Sequence, residues 1–188
     1  MSSYEVRYLS AIALVLEEYL LSDDLYWPPG ISAKGGEPPY PSITPGSLCL
    51  FRLQARSRNI NTPGDTEFFR IENDIVKILS AWHAAWEKKV VQDFHARLQI
   101  WGNFLDELRD KSDSHLDRYP YEVTRRVQLE LLREEAIRMP EPDLRLLELL
   151  DRKLMGMFKP GDFIWEPVFE AVFPKPRFWY LFGMVKDL

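Results

Sequence analysis

The chain has 188 residues, of which 46% are hydrophobic and 13% aromatic, so it can bury a sizeable core and is not an intrinsically disordered protein. Its single cysteine, Cys49, excludes an internal disulfide and a zinc site built from several cysteines. The net charge of −5 argues against a nucleic-acid-binding protein that works through bulk electrostatics.

No apolar segment of the sequence is long enough to cross a bilayer. The run from Ala11 to Leu16 is closed by Glu17 and Glu18, whereas a membrane-spanning helix needs roughly 20 apolar residues. A lone cysteine is also compatible with a reducing compartment. We therefore expect a cytoplasmic protein that does not contact a membrane, and no motif in the sequence predicts a cofactor.

A helix is predicted for residues 1–21. Apolar side chains recur there at steps of three and four residues, the spacing of a broad apolar helix face; they are Val6, Leu9, Ala13, Leu16 and Leu20. Ser2 and Glu5 stand at the spacing of a capping box. Residues 22–46 are rich in proline and glycine, so we expect a long loop that Trp27 anchors against the helices.

Two Thr-Pro-Gly sequences, at 44–46 and 62–64, predict helix starts, because threonine caps a helix and proline favours its first turn. The first would open a short helix over 47–58, although Leu48 to Leu53 could also form a strand. The second would open a much longer helix.

The most regular periodicity in the chain predicts one very long central helix over residues 65–111. Apolar side chains fall at steps of three or four throughout; they are Phe68, Ile71, Ile75, Ile78, Trp82, Trp86, Val90, Phe94, Leu98, Trp101, Leu105 and Leu108. No proline interrupts this stretch, and Gly102 is its one weak point. Such a helix would be about 70 Å long, whereas a compact domain of this size is about 40 Å across. We therefore expect an elongated molecule, a bend near Gly102, or a helix that meets a second copy.

Two further helices are predicted over 120–138 and 142–155, each opened by a proline. The remainder, 158–188, is dense in aromatic residues and interrupted by prolines, so we expect a largely irregular tail with one short helix after Pro167. Together these elements predict a single all-α domain over 1–188, an elongated helical bundle built around the long central helix.

The histidines of the long helix do not predict a metal site. His83 and Glu87 are one helical turn apart and could share an ion. His95, however, would lie about 18 Å from His83 along the helix axis, so the two histidines cannot ligate the same ion. We expect His83 to pair with Glu87 and no metal to be bound.

One short segment resembles a known catalytic signature. Arg109 is followed six residues later by His115, with polar residues between them. This spacing resembles the signature of HEPN-type RNases, small all-α proteins in which arginine and histidine from two subunits meet at a dimer interface. The resemblance implies that His115 is the general acid and base and that Arg109 stabilises phosphate charge. Alternatively, Arg109 and Lys111 are the cations of a helix end that face the helix dipole.

The aromatic segments are the candidate binding surface, because tryptophan and tyrosine are enriched at protein interfaces. The candidate residues are Trp27, Trp165, Trp179 and Tyr180; the same side chains could instead form the core. We interpret the chain as a non-enzymatic interaction or scaffold module that self-associates or binds a protein partner. The alternatives are a metal-independent RNase of the HEPN type acting through Arg109 and His115, and a helical bundle that binds a small molecule.

Overall fold

The computed structural model describes residues 2–59, 66–110 and 116–186, and most of them are helical. The helices are, in chain order, α1 (Tyr4–Leu21), α2 (Pro45–Asn59), α3 (Thr66–Ala81), α4 (His83–Asp110), α5 (Tyr119–Glu122), α6 (Thr124–Leu132) and α7 (Glu141–Met157). Two short strands follow, β1 (Phe158–Phe163) and β2 (Phe182–Val185). The prediction of a mostly helical fold is confirmed, with a two-stranded sheet added to it. None of the described helices is long and apolar enough to cross a membrane.

The chain divides into two compact units, Met1–Asp93 and Phe94–Leu188. The first contains α1, α2 and α3, and the second contains α5, α6, α7 and the sheet. Helix α4 contributes its beginning to the first unit and the rest of its length to the second. The single domain over 1–188 stays a prediction.

In the N-terminal unit, α1 packs against α2 and α3. Its buried face includes Leu9 and Ile12, both without solvent exposure. The hydroxyl of Ser3 caps the helix by accepting a hydrogen bond from the N–H of Val6 at 3.3 Å. The cap therefore lies one residue after Ser2, the residue that the capping-box spacing indicated.

Helix α2 begins where the first Thr-Pro-Gly sequence predicts. The N–H of Ser47 donates to Thr44 Oγ1 at 3.1 Å, and the N–H of Thr44 donates to Ser47 Oγ at 2.9 Å. These reciprocal bonds satisfy backbone groups that a helix start leaves without partners. The segment from Leu48 to Leu53 is helical rather than a strand, and it buries the single cysteine, Cys49.

Residues 22–44 form a loop, in which one isolated bridge joins Trp27 and Ile43. The N–H of Trp27 donates to Ile43 O at 3.1 Å, and the N–H of Ile43 donates to Trp27 O at 2.7 Å. The ring of Trp27 also lies 6.4 Å from the ring of Tyr19 on α1, measured between centroids. Trp27 thus closes the base of the loop against the first helix.

The prediction of one central helix over 65–111 is wrong. Within the described part, 66–110, the structure has two helices, α3 and the 28-residue α4, separated at Trp82. The N–H of Trp82 still donates to Ile78 O at 3.0 Å, and the N–H of Trp86 donates to Trp82 O at 2.9 Å. The apolar stripe therefore continues past the interruption. Hydrophobic periodicity depends only on the spacing of the apolar residues, so it does not detect a helix that is interrupted at a single residue. Gly102, the predicted weak point, lies inside α4.

The helix predicted over 120–138 is shorter in the structure, where α5 and α6 replace it and α6 ends at Leu132. Beyond this end, the N–H groups of Glu134 and Glu135 donate to carbonyls three residues back, a tighter turn than an α-helix. Ile137, the large apolar residue of this segment, is 86% exposed. The segment lacks the buried face that stabilises most helices in proteins, and the helix ends early for that reason.

The tail predicted to be largely irregular contains the sheet. Helix α7 leads directly into β1, which pairs antiparallel with β2 so that Phe158 faces Val185 and Pro160 faces Gly183. Two 3₁₀ turns, Pro167–Val172 and Trp179–Leu181, lie between the strands. Several aromatic side chains of this region are core residues of the C-terminal unit, namely Phe169, Phe173, Phe178 and Tyr180. Proline and glycine within such short strands remove the alternation by which a strand is recognised, so the sequence did not show the sheet.

Candidate functional site

A groove lies along the two-stranded sheet, and the close approach of the strands depends on a glycine. Gly183 in β2 has a φ of +148°, and a Cβ atom at this position would lie 2.2 Å from the carbonyl oxygen of Lys159 in β1. No residue other than glycine fits this approach without moving the backbone. Phe158 and Phe182, which flank it, both line the groove.

One end of the groove is an apolar pocket of about 310 Å³. Its lining residues are Met155, Phe158, Pro160, Lys175, Trp179 and Phe182. The rings of Phe158 and Trp179 meet edge to face with centroids 5.1 Å apart. Met155, near the end of α7, is 56% exposed. Exposed apolar side chains beside aromatic walls are typical of a binding surface.

The other end of the groove is a more polar pocket of about 400 Å³. Lys175 and Phe182 line both pockets, and Lys175 Nζ lies 5.4 Å from the centroid of the Phe182 ring. Two carboxylates, Asp162 and Glu170, line the polar pocket. We call the two pockets together the sheet groove.

A buried polar network holds the turn that carries Trp179. Arg126 donates to Asp151 through Nε at 2.7 Å and through Nη2 at 2.8 Å, and its guanidinium carbon lies 4.5 Å from the centroid of the Tyr180 ring. The hydroxyl of Tyr119 donates to Tyr180 O at 2.7 Å. Burial raises the pKa of both tyrosines above the ordinary value, so both hydroxyls keep their protons to a higher pH than an exposed tyrosine does. Because Tyr180 follows Trp179 directly, this network fixes the backbone beside the groove.

The structure places the four candidate binding residues in different surroundings. Trp179 lines the sheet groove, and Tyr180 beside it is fully buried. Trp165 donates from Nε1 to Pro120 O at 2.9 Å. Trp27 belongs to the N-terminal unit. Of the four, Trp179 alone lines the groove.

Sequence reasoning missed Met155, Lys175 and Phe182 as groove residues. A signal for Met155 was present, because it follows the leucine stripe of α7 without belonging to it. An apolar residue outside the stripe of its helix is expected to be exposed. Lys175 stands between two prolines and carries no comparable pattern.

The catalytic hypothesis concerns Arg109 and His115, and His115 lies outside the described residues. Arg109 is in the last turn of α4, with Nη2 3.7 Å from Asp106 Oδ1. Asp106 also accepts a hydrogen bond from Lys153, which lowers the pKa of this carboxyl group. The assignment of RNase chemistry to Arg109 and His115 stays a prediction.

The histidines of α4 have separate carboxylate partners. His83 Nδ1 lies 3.7 Å from Glu87 Oε2, whereas His95 Nδ1 lies 3.1 Å from Asp143 Oδ1 at the start of α7. Throughout residues 2–59, 66–110 and 116–186, no group of three or more His, Cys, Asp or Glu side chains is arranged to hold a metal ion.

The sheet groove is thus an aromatic-walled surface with one cation, Lys175, between an apolar end and an acidic end. Such a surface has the features of a recognition site for an extended segment of protein. No protein-family model, no curated protein and no solved structure matches the chain.

Proposed function

We propose that the protein is a self-associating interaction module in which the sheet groove of one copy binds the proline-rich loop of a second copy. The observation that carries the proposal is the aromatic-walled pocket formed by Phe158 and Trp179, with Met155 exposed beside them. Aromatic-lined grooves bind proline-rich segments well, because these segments are already extended and lose little conformational entropy on binding.

The loop of the N-terminal unit offers such a segment. Pro38, Pro39 and Pro41 are exposed, and each proline restricts its own φ and favours an extended conformation in the residue before it. The hydroxyl of Tyr4 donates to Pro39 O at 3.3 Å, and that of Tyr8 donates to Pro41 O at 3.1 Å. The segment is therefore held in place before binding, which reduces the entropy cost of association.

One charge of the proline-rich segment, that of Lys34, complements the carboxylates of the groove. Lys34 is exposed at the start of the segment, where it can meet Asp162 and Glu170 at the acidic end of the groove. Glu37 is held within its own copy by an ion pair with Arg7 at 2.5 Å. The hydrogen bond from Arg7 lowers the pKa of Glu37, so the pair persists at neutral pH. The segment 34–41 thus presents its prolines and a cation, while its one carboxylate, Glu37, is engaged internally.

Each copy carries one loop and one groove. We propose that two copies exchange the same contact twice around a two-fold axis, as a closed dimer requires. A closed arrangement satisfies both grooves and leaves no groove open for further copies.

Light scattering on the purified protein tests this proposal. We expect a mass near twice the 22.2 kDa of one chain.

Met155→Glu places a carboxylate at the apolar pocket, so we expect this variant to have the mass of one chain. Leu149→Glu is the matched control, because Leu149 lies on the same helix, is 54% exposed and does not line the groove. We expect it to keep the wild-type mass. Circular dichroism verifies that both variants are folded. A wild-type mass of one chain, or an equal loss in both variants, contradicts self-association through the groove.

A second pair of variants identifies the loop as the occupant. Replacing Pro38 and Pro39 together by serine removes the rigid segment from exposed positions, so we expect a folded protein with the mass of one chain. Mixing it with Met155→Glu is expected to restore part of the dimer, because one variant keeps an intact groove and the other an intact loop. If the proline variant stays dimeric, the occupant of the groove is not the loop.

A further inference from the structure

A second cavity lies in the N-terminal unit, between the end of α1 and the start of α4. Its volume is about 360 Å³, which falls in the range of about 300–1,000 Å³ that is usual for small-ligand pockets. Leu20 and Asp23, at the end of α1 and just after it, form one wall of the cavity. Residues just before and within α4 form the other wall; they include Trp82, Lys88 and Gln92. Trp82, the residue that separates α3 from α4, is therefore part of the cavity wall.

Lys89 is the buried cation of this cavity, with only 2% of its surface exposed. Its Nζ donates to Asp24 O at 2.6 Å, lies 3.5 Å from Ser22 Oγ and lies 4.4 Å from the centroid of the Tyr19 ring. These three contacts are all with neutral groups. Burial lowers the pKa of Lys89 because the charge is desolvated, although Asp23 and Asp24 oppose this effect. A negatively charged ligand group would compensate the buried charge.

Lys88 and Gln92 add polar groups to the same cavity, one helical turn apart. Lys88 Nζ lies 3.6 Å from Asp23 Oδ1, and the Asp23 side chain is fully exposed. An ion pair of this kind contributes little stability, so a ligand carboxylate can take the place of Asp23. Two lysines then face the ligand, and Trp82 and Leu21, which is 60% exposed, offer apolar surface for its body.

We propose that this cavity binds a small organic anion, a monocarboxylate with an aromatic or aliphatic body. The carboxylate is bound by Lys88 and Lys89, Gln92 donates a hydrogen bond to it, and the body packs against Trp82 and Leu21. This binding is separate from the proposed self-association, because the sheet groove belongs to the C-terminal unit.

Isothermal titration calorimetry tests the proposal with two probes, 3-phenylpropionate and octanoate. We expect saturable binding of at least one of them. The matched neutral compounds, 3-phenylpropanol and octanamide, are expected to bind at least about tenfold more weakly, the loss expected for a hydrogen bond to a charged group. Absence of saturable binding by both carboxylates, or equal binding of the neutral compounds, overturns the proposal.

Three lysine variants locate the bound carboxylate. Lys88→Gln changes an exposed side chain, so it is expected to fold normally and to bind the carboxylate about tenfold more weakly. Lys89→Met is expected to abolish binding, with a thermal melt to show that the protein is folded. Lys77→Gln on α3 removes a lysine that does not line the cavity, so it is expected to bind as the wild type does. An equal effect of Lys88→Gln and Lys77→Gln would show that the anion binds elsewhere.

Discussion

The guanidinium group of Arg126 is buried among Asp151, Glu130 and the ring of Tyr180 in the C-terminal unit. Only 3% of Arg126 is exposed, so its charge depends on these partners rather than on water. Removing one partner of a buried ion pair costs more than the pair itself contributes, because the remaining charge stays buried without compensation. The carboxylate of Asp151, with two bonds to Arg126, is therefore the partner whose loss matters most.

We expect Asp151→Ala to lower the free energy of unfolding by about 3 kcal/mol, the lower end of the range for a broken buried pair, since Glu130 remains close to Arg126. Urea denaturation measures this change. Glu141→Ala is the control, because the pair of Glu141 with Arg145 is exposed and is expected to contribute less than about 0.5 kcal/mol. An equal loss of unfolding free energy in the two variants would contradict the role of Asp151 as the partner of a buried charge.

Tyr119 makes the stability of the fold sensitive to alkaline pH. Burial raises its pKa above the ordinary 10.0, so near pH 10 the unfolded chain loses this proton while the folded chain keeps it. The folded state then binds more protons, and the free energy of unfolding falls as the pH rises above 10. Tyr180 acts with the same sign, whereas Lys89, whose pKa is lowered, acts with the opposite sign.

In Tyr119→Phe we expect a shallower fall of the free energy of unfolding above pH 10. The variant should also be about 1 kcal/mol less stable at neutral pH, because it loses the hydrogen bond to Tyr180 O. Urea denaturation on both sides of pH 10 measures the two effects, and comparison with the wild type isolates Tyr119 from the other titrating groups. An alkaline slope identical to that of the wild type contradicts this assignment.

At the residue scale, the sequence indicated the kind of groove residue but not its position. Aromatic enrichment pointed to Trp179, which lines the groove, and equally to Tyr180, which is buried next to it. Successive residues of the 3₁₀ turn Trp179–Leu181 point in different directions, and composition does not distinguish the residue that lines the groove from the buried one. The burial of Lys89 was also not predictable from the sequence, because it depends on contacts with Asp24 and Tyr19, which are far from Lys89 along the chain.

At the scale of the elements, two glycines have opposite roles. In α4, a Cβ atom at Gly102 would lie 3.5 Å from Leu150 Cδ2, which is an ordinary contact. In β2, a Cβ atom at Gly183 would lie 2.2 Å from Lys159 O. The first position has room for a side chain and gains helix propensity from one, whereas the second has neither room nor a suitable backbone conformation.

We therefore expect Gly102→Ala to raise the free energy of unfolding by about 0.5–1 kcal/mol. Gly183→Ala is expected to lower it by more than about 2 kcal/mol, because the strands must move apart. The two variants carry the same chemical change and serve as controls for each other in one denaturation series. A neutral result for Gly183→Ala would contradict the close approach of β1 and β2.

The elements also show why the start of α2 was predictable and the end of α6 was not. The start of α2 follows from Thr44 and Ser47, whose hydroxyls bond to nearby backbone N–H groups. The end of α6 depends instead on which side chains the rest of the fold buries, and Ile137 is left exposed. Hydrogen bonds between neighbouring residues determine where α2 begins, whereas tertiary packing determines where α6 ends.

At the scale of the whole molecule, hydrophobic periodicity predicted the mostly helical class correctly and gave no sign of two compact units. The reason lies in α4, whose apolar stripe passes without a gap from Val90 in the first unit to Phe94 in the second. Boundaries between compact units are usually recognised by polar or flexible linkers, and here the boundary falls inside a helix. A continuous apolar stripe in the sequence predicts one helix, whether that helix packs into one hydrophobic core or into two.

The burial of Cys49 gives the protein a kinetic reporter that needs no engineering. Cys49 is the one cysteine of the chain and is buried in α2. When a thiol reagent is concentrated enough to react faster than the opened unit closes again, its reaction with Cys49 proceeds at the rate at which the N-terminal unit opens. The C-terminal unit contains Trp101, Trp165 and Trp179, and their fluorescence changes when this unit opens. Trp27, Trp82 and Trp86 of the N-terminal unit add to the signal. Comparing the labelling rate with the fluorescence rate under the same denaturant shows whether the two units unfold in one step or in sequence.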